Sequence, residues 1–503
     1  MLPHLKQLGI QSLIYGTGHV LSRFIAFLLL PFLTHHLTPD EYSAYTQLYI
    51  AITLGMAVLI LGLDIGLLRF YVPEKELSRR QGVFSSVFWS SLVVVGLGCG
   101  LAWGYARDLA AWIVTLDPIP PWGVTSFGLA VGIMGLDILS AYPLVVLRAE
   151  EKAWRFIGVN LLSGVLQLGL TLWWVVGKKM GVVGAFQANL VASVVRMAVL
   201  LPVVIGRLRW EWSGELFRRT LTFGLPNVPN FIFVSLVEMA DRWLLGHIRG
   251  AYENGLYAAS YRLGMFLSVV AMGFRYAWQP FFLNVADRPD ARDLYSRVLT
   301  YYLVIVLGLY VALVAWVEPL VKIPFPGIGE IIAPEFHPGL RVFPVILLAH
   351  IFNGVYAIFM VGIYLERKTA VLPLISGWAA LVNIVGNLLL MPKWGMWDAA
   401  WMTVLSWGLM ALLLYLYIQP RYFVPYEWAR LAKIIGIAAV CVALTLILRQ
   451  WGETPLALLV PLLYVPLILS PWVFFKGERE VLWQMVKKVV KPAQGKVRCR
   501  EKV

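Results

Sequence analysis

Nine ionisable side chains fall inside long apolar runs of this 503-residue chain, and their types define what chemistry it can do. They are Arg23, Asp64, Asp137, Arg196, Glu238, Asp241, Arg242, Arg262 and Arg275. An ionised group at the centre of a membrane helix costs about 2.5 to 3.5 kcal/mol on insertion scales, so such groups face a partner or a water-filled cavity. Five arginines against four acids is a cationic balance. Arginine carries a planar fork of donors, keeps its charge and grips phosphate bidentately. A cavity with several of them suits a phosphate or pyrophosphate better than a cationic ligand. Arg23, Arg262 and Arg275, then Arg242, are the candidate phosphate ligands. Asp137, Glu238 and Asp241 are candidates for coupling to a proton or sodium gradient. Local pairing competes with these roles: Glu238 and Arg242 stand i, i+4 in the favourable order, Asp64 has Arg69 nearby, and Arg196 can pair with an acid. His35 and His36 read as a surface pair. Phosphate-binding glycine loops, zinc-ligand patterns and nucleophile elbows are absent from the sequence, and Cys99, Cys441 and Cys499 lack ligand or disulfide spacing. Neither a metal, a cofactor nor an enzymatic activity is expected.

Helices must hold these charges. The chain is 60% hydrophobic and 14% charged, against about 25% charged for a soluble domain. A span of about 20 apolar residues crosses a bilayer, and apolar runs separated by polar breaks give fourteen, from 10–33 and 44–68 through 82–106, 220–246 and 254–282 to 455–475. The expected fold is all-α and polytopic. With both termini in the cytoplasm, 29 of the 42 Lys and Arg lie inside and eight outside, alternating loop by loop, which satisfies the positive-inside rule. The net charge of +14 is therefore mostly topology and needs no nucleic-acid partner. The outer segment 318–338 reads as a short cap or re-entrant turn, and PNVPN at Pro226–Asn230 as a helix interruption. The tail GEREVLWQMVKKVVK reads as an amphipathic helix on the anionic inner leaflet.

Two segment pairs repeat at nearly one offset. Glu41, Tyr45 and Tyr49 align with Glu253, Tyr257 and Tyr261, and KMGVVGA from Lys179 aligns with KWGMWDA from Lys393. The offset covers six spans, so the halves run the same way through the membrane as a parallel repeat. The organisation expected is a six-helix lobe over 1–210, a second over 211–424, helices 13 and 14 over 425–475, and an amphipathic helix with a basic tail over 476–503. Two packed bundles with a cleft between them form an alternating-access design, which points to transport.

The run EMADRWLLGHIRGAYENGLYAASYRLG from Glu238 resembles the DR-x-x-LG…G-x-Y-x-x-AY stretch of Wzx-type polysaccharide flippases, within the multidrug/oligosaccharidyl-lipid/polysaccharide exporter superfamily. SRFIAFLLLPFLTHHLTPDEYSAY from Ser22, GLDIGLLRFY from Gly62, GIYLERKT from Gly362, LVNIVGNLLLMPKWGMWDAAWMTVLS from Leu381 and VPYEW from Val424 add to the resemblance, which covers the chain to about residue 430. Two departures are Asp398, where the family more often has a small residue, and fourteen spans where many members have twelve. The resemblance implies movement of an undecaprenyl-pyrophosphate-linked oligosaccharide from the inner to the outer leaflet of the cytoplasmic membrane, in the company of the pathway's glycosyltransferases and polymerase. A lipid II flippase and a cation-coupled drug antiporter of the same superfamily remain as alternatives. From another class, so does a membrane glycosyltransferase or polysaccharide polymerase, although the short outer loops disfavour it.

Overall fold

The computed structural model describes residues 21, 24–25, 27–325, 327, 329–475 and 477–480. Arg23 and the tail from 481 lie outside the described residues. Among those described, twelve helices are long and apolar enough to cross a membrane, and two shorter apolar helices, Phe27–His36 and Thr454–Ile468, stand where the first and last expected spans fall. The protein is an all-α multi-pass membrane protein. Its one strand pair, among the described residues, is a two-residue ladder of Pro324–Phe325 with Gly329–Glu330, followed by a 3-10 helix over Pro334–Val342. That is the local form of the segment expected to cap the fold, and His35 Nε2 donates into it at the Glu330 carbonyl (2.7 Å).

The first half comprises α1 (Phe27–His36), α2 (Pro39–Leu59), α3 (Leu63–Tyr71), α4 (Leu77–Gly104), α5 (Ala106–Val114), α6 (Pro121–Ala149), α7 (Ala153–Thr171) and α8 (Gly181–Arg207). The next elements are α9 (Gly214–Gly224), α10 (Val228–Ile248), α11 (Ala251–Val285), α12 (Ala291–Val321), α13 (Phe343–Leu365), α14 (Leu372–Trp394) and α15 (Met396–Ile418). After them come α16 (Trp428–Gln450), α17 (Thr454–Ala457) and α18 (Val460–Ile468). The sequence repeat is visible in the packing: α2 on α6, α6 on α8 and α7 on α8 are matched by α11 on α13, α13 on α15 and α14 on α15. The repeated glycines take the same unusual backbone. Gly181 and Gly395 open α8 and α15 at φ +56° and +54°, a region that glycine enters without steric cost. Each lies beside the repeat-related acid, Glu41 or Glu253. Glu41 closes a capping box with Thr38 at the start of α2 (3.0 and 3.3 Å), and Glu253 accepts from the Met396 N–H (2.7 Å) at the start of α15.

Two expected spans are broken. The run 44–68 is not one helix: the chain turns through Leu61 (φ +51°) and Gly62 (φ +67°) between α2 and α3. The run 82–106, by contrast, is one helix, α4, and the separate α5 begins where the run ends. Around PNVPN the interruption is a 3-10 turn over Leu225–Asn227 between α9 and α10. The two breaks touch. A Cβ on Gly62 would lie 2.4 Å from the Gly224 carbonyl oxygen, and one on Gly224 would lie 2.1 Å from that of Gly62, so the backbones meet where only glycine fits.

By compactness the chain divides into Met1–Ala291 with Glu318–Phe423, and Arg292–Val317 with Val424–Val503. In the first unit the N-terminal ends of α2 and α11 are pressed together: a Cβ on Gly255 would lie 1.9 Å from the Pro39 carbonyl oxygen, Asn254 donates to Ser43 (2.7 Å), and Gln47 donates to the Arg242 carbonyl (3.1 Å). His247 of α10 donates to the Trp112 carbonyl of α5 (2.7 Å). In the second unit, Tyr464 donates to the Val304 carbonyl (2.9 Å) and Trp316 to that of Leu458 (3.0 Å). There, too, Arg430 holds Glu478 at 2.6 Å and Glu427 at 3.1 Å.

Candidate functional site

A cavity of about 670 Å³ lies within the first unit, walled by Leu21, Phe24, Phe27 and Leu29 and by α2, α10 and α11. Helical periodicity explains which side chains reach it. On α2, Tyr42, Tyr45 and Tyr49 follow an i, i+3, i+7 pattern, and on α11 Ala258, Arg262, Met265, Phe266 and Val269 share one face. Arg242 and Met239 come from α10 and Gln167 from α7. Leu21, Phe24, Phe27 and Phe266 supply apolar wall.

Two cations meet an aromatic wall here. Arg262 donates to the Tyr45 hydroxyl (3.4 Å), with its guanidinium 5.9 Å from that ring's centroid. Arg242 lies 3.9 Å from the Tyr261 centroid, a cation–π contact that is worth about 2 kcal/mol when desolvated. Tyr45 and Tyr49 pack at 4.8 Å, and both touch Phe186 at 5.7 and 5.1 Å. The Tyr49 hydroxyl is held by Asn189 (2.9 Å) and Gln167 (3.2 Å), so the wall is fixed before any ligand arrives. A planar cation backed by aromatic faces can grip a phosphate while the rings stack on sugar.

The other candidate residues are placed differently. Asp241 is fully buried and accepts from the Tyr257 hydroxyl (2.6 Å), the Thr403 hydroxyl (3.0 Å) and the Arg242 N–H (2.7 Å). Its carboxylate lies 3.5 Å from Arg242 Nε. The i, i+4 pairing expected between Glu238 and Arg242 side chains is replaced by a hydrogen bond from Arg242 to the Glu238 carbonyl, because the adjacent Asp241 takes the charge. Asp137 is ion-paired with Arg196 across α6 and α8 and accepts from Ser193 (2.7 Å). Arg275 is exposed, donates to Asn353 (2.5 Å) and is not among the cavity's lining. Arg242 and Arg262 are thus brought together, Asp241 backs one of them, and Asp137 and Arg275 stand apart. The tyrosines of α2 are not among the candidates from sequence; their signal is the three-tyrosine stripe, of which Tyr45 and Tyr49 also belong to the repeat.

Outside the spans, a compact ionic knot joins α3, α8 and the α6–α7 turn. Glu150 accepts from Tyr71 (2.7 Å), Arg207 (2.6 and 2.9 Å) and Lys152 (2.6 Å). Burial alone would raise the Glu150 carboxyl, but these donors together hold it down at about 2. Burial and the Glu150 contact push Tyr71 up to about 12.

A family described as "Polysaccharide biosynthesis protein" matches residues 32–326, more than half of the chain. The Lsg locus putative protein 1 of Haemophilus influenzae is 21% identical over 330 residues, covering 61% of this chain and 74% of that protein. Among solved structures, a lipid II flippase MurJ in an inward closed conformation superposes with a TM-score of 0.73 at 13% identity, covering 90% of this chain and 98% of that one. An inward-facing multidrug resistance MATE family transporter of the MOP superfamily gives 0.62 at 12% identity, over 79% and 94%. These two establish likeness of fold.

Proposed function

The chain belongs to the polysaccharide biosynthesis protein family, and from that premise we propose that it is a transporter that flips a polyprenyl-pyrophosphate-linked oligosaccharide from the inner to the outer leaflet of the cytoplasmic membrane. The observation that carries this reading is the pair Arg242 and Arg262 on the wall of one cavity, backed by Tyr45 and Tyr261 and continued by apolar side chains. Pyrophosphate would sit on the guanidinium pair, sugars against the tyrosines, and the polyprenyl chain along Phe24 and Phe266 into lipid. Both termini would face the cytoplasm, as the Lys and Arg distribution requires. Rocking of two repeat-related halves around the cavity would expose it alternately to each side.

The superposition on a lipid II flippase favours a second reading within the same class, in which the lipid-linked cargo carries a peptide. A cationic drug is disfavoured by the two arginines. The test is flipping in proteoliposomes. The expected result is that a lipid-pyrophosphate-linked glycan changes leaflet and that Arg262→Ala and Arg242→Ala each slow it at least tenfold, with Arg262→Lys intermediate. Wild-type rates in both alanine variants would overturn the site, and sugar transfer by the wild type would overturn the class. Competition by lipid II at equal concentration would decide for the second cargo.

A further inference from the structure

A second concave site lies outside the cavity. It is a groove of about 560 Å³ formed by Phe70 of α3 and Glu215, Arg218, Arg219, Thr222 and Phe223 of α9. The polar members from α9 stand at i, i+3, i+4 and i+7, so they share one face, while Thr220 and Gly224 are buried on the other. The groove exists because α9 is locked to α3: a Cβ on Gly66 would lie 2.5 Å from the Thr220 carbonyl oxygen, and Gly62 abuts Gly224. Arg69 adds a third cation, 5.8 Å from the Phe223 ring. Glu215 neutralises only Arg219 (2.7 Å). Arg218 and Arg69 form no ion pair among the described residues, leaving the groove net positive.

Its depth is marked by tryptophan. In the linker before α9, Trp210 is 92% exposed and stacks on Trp89 at 4.9 Å, and Trp212 donates to Ser90 (2.9 Å) while remaining exposed. Exposed tryptophans mark the headgroup level. Phe223 at the groove's edge is exposed, and beyond it Leu225 and Phe231 are exposed toward and along the start of α10. Phosphate-binding cations at headgroup level, continuous with an apolar strip, match one amphiphile. We infer that this groove binds the phosphate of an anionic phospholipid of the inner leaflet, with its acyl chains along Phe223, Leu225 and Phe231. The inference rests on the face assignment from the Lys and Arg distribution and not on transport, so its failure leaves the flippase reading intact.

The experiment is native mass spectrometry of the full chain in detergent, titrated with phosphatidylglycerol or phosphatidylcholine. Each basic residue facing an anionic headgroup contributes about fivefold in affinity. Arg218→Ala/Arg219→Ala should therefore weaken the first phosphatidylglycerol about 25-fold and leave phosphatidylcholine unchanged. Arg218→Lys/Arg219→Lys, which keeps the charge that the headgroup attraction counts, should stay within about threefold of wild type. Glu215→Gln, which frees Arg219, should tighten binding. Wild-type affinity in the alanine pair, unchanged affinity in Glu215→Gln, or equal binding of phosphatidylcholine would overturn the inference. So would stripping of phosphatidylglycerol by millimolar inorganic pyrophosphate, which would identify a small-anion site instead.

Discussion

Asp398 is the residue where the repeat is broken chemically. Its counterpart is Gly184, packed so tightly that an added Cβ would lie 2.9 Å from Met180 Cβ. Asp398 is fully buried in the first turn of α15, and neither carboxylate oxygen has a hydrogen-bond partner. An acid in the first turn gains about 0.3 to 1 kcal/mol from the helix dipole. An unsatisfied buried polar group costs about 1 to 3 kcal/mol, so the cost wins. Asp398→Ala is expected to raise the thermal unfolding temperature in detergent; a lower temperature would mean that the carboxylate has a partner in solution. Glu150 is the opposite case, an acid with four donor contacts. Its carboxyl is held at about 2, below an ordinary 4.5, so its contribution to stability is complete above about pH 4.5 and is lost as pH falls toward 2. Unfolding followed from pH 7 to 2 should show an acid-labile component that Glu150→Gln removes. A variant with an unchanged acid profile would show that the knot does not carry it.

Helix breaks, more than helix lengths, decide how the elements meet. The contact between Gly62 and Gly224 joins two interrupted segments through backbone, with no room for a side chain. Gly224→Ala should destabilise by about 1 to 3 kcal/mol, since overpacking cannot be relieved by rotating a side chain. Gly96→Ala, where an added Cβ meets nothing within 4 Å, should be neutral or stabilise by up to about 1 kcal/mol through helix propensity. Equal effects in a chemical-denaturation comparison would count against the backbone contact. Hydropathy made the spans legible, because burying apolar length in lipid is a one-dimensional property, and residue identities at one offset made the repeat legible. The break at Gly62 was not legible, since Leu61 and Gly62 sit in an unbroken apolar run and their turn is imposed by α9. Membership of the cavity was half legible. Arg262 and Arg275 are thirteen residues apart on α11, and at 3.6 residues per turn they point roughly 140° away from each other. One straight helix cannot aim both into one cavity, and that angle was computable from numbering alone. The aromatic backing of Arg242 by Tyr261 joins α10 to α11 and depends on packing that no local pattern encodes.

Across the whole molecule, contacts tie the helices of one half of the repeat to those of the other. Asn254 of α11 reaches Ser43 of α2 at 2.7 Å, Gly255 lies against Pro39, and Gln47 reaches the Arg242 carbonyl. Each contact joins the first half of the repeat to the second, so the proposed alternating access requires them all to part. None is a buried ion pair; they are hydrogen bonds and close glycine packing, each with a net worth of about 1 kcal/mol, which suits contacts that must part within a transport cycle. The demand can be tested by tying the halves together. With Cys99, Cys441 and Cys499 replaced by alanine, Ser43→Cys/Asn254→Cys should form a disulfide under mild oxidation, because these side chains already touch. Oxidised protein in proteoliposomes should lose glycan flipping, and reduction should restore it. Each single-cysteine variant, oxidised alike, should keep its rate, which separates the link from any effect of substitution. Transport at full rate with the link verified by mass would mean that the N-terminal ends of α2 and α11 never separate, and the cargo would then need a route that leaves these contacts in place.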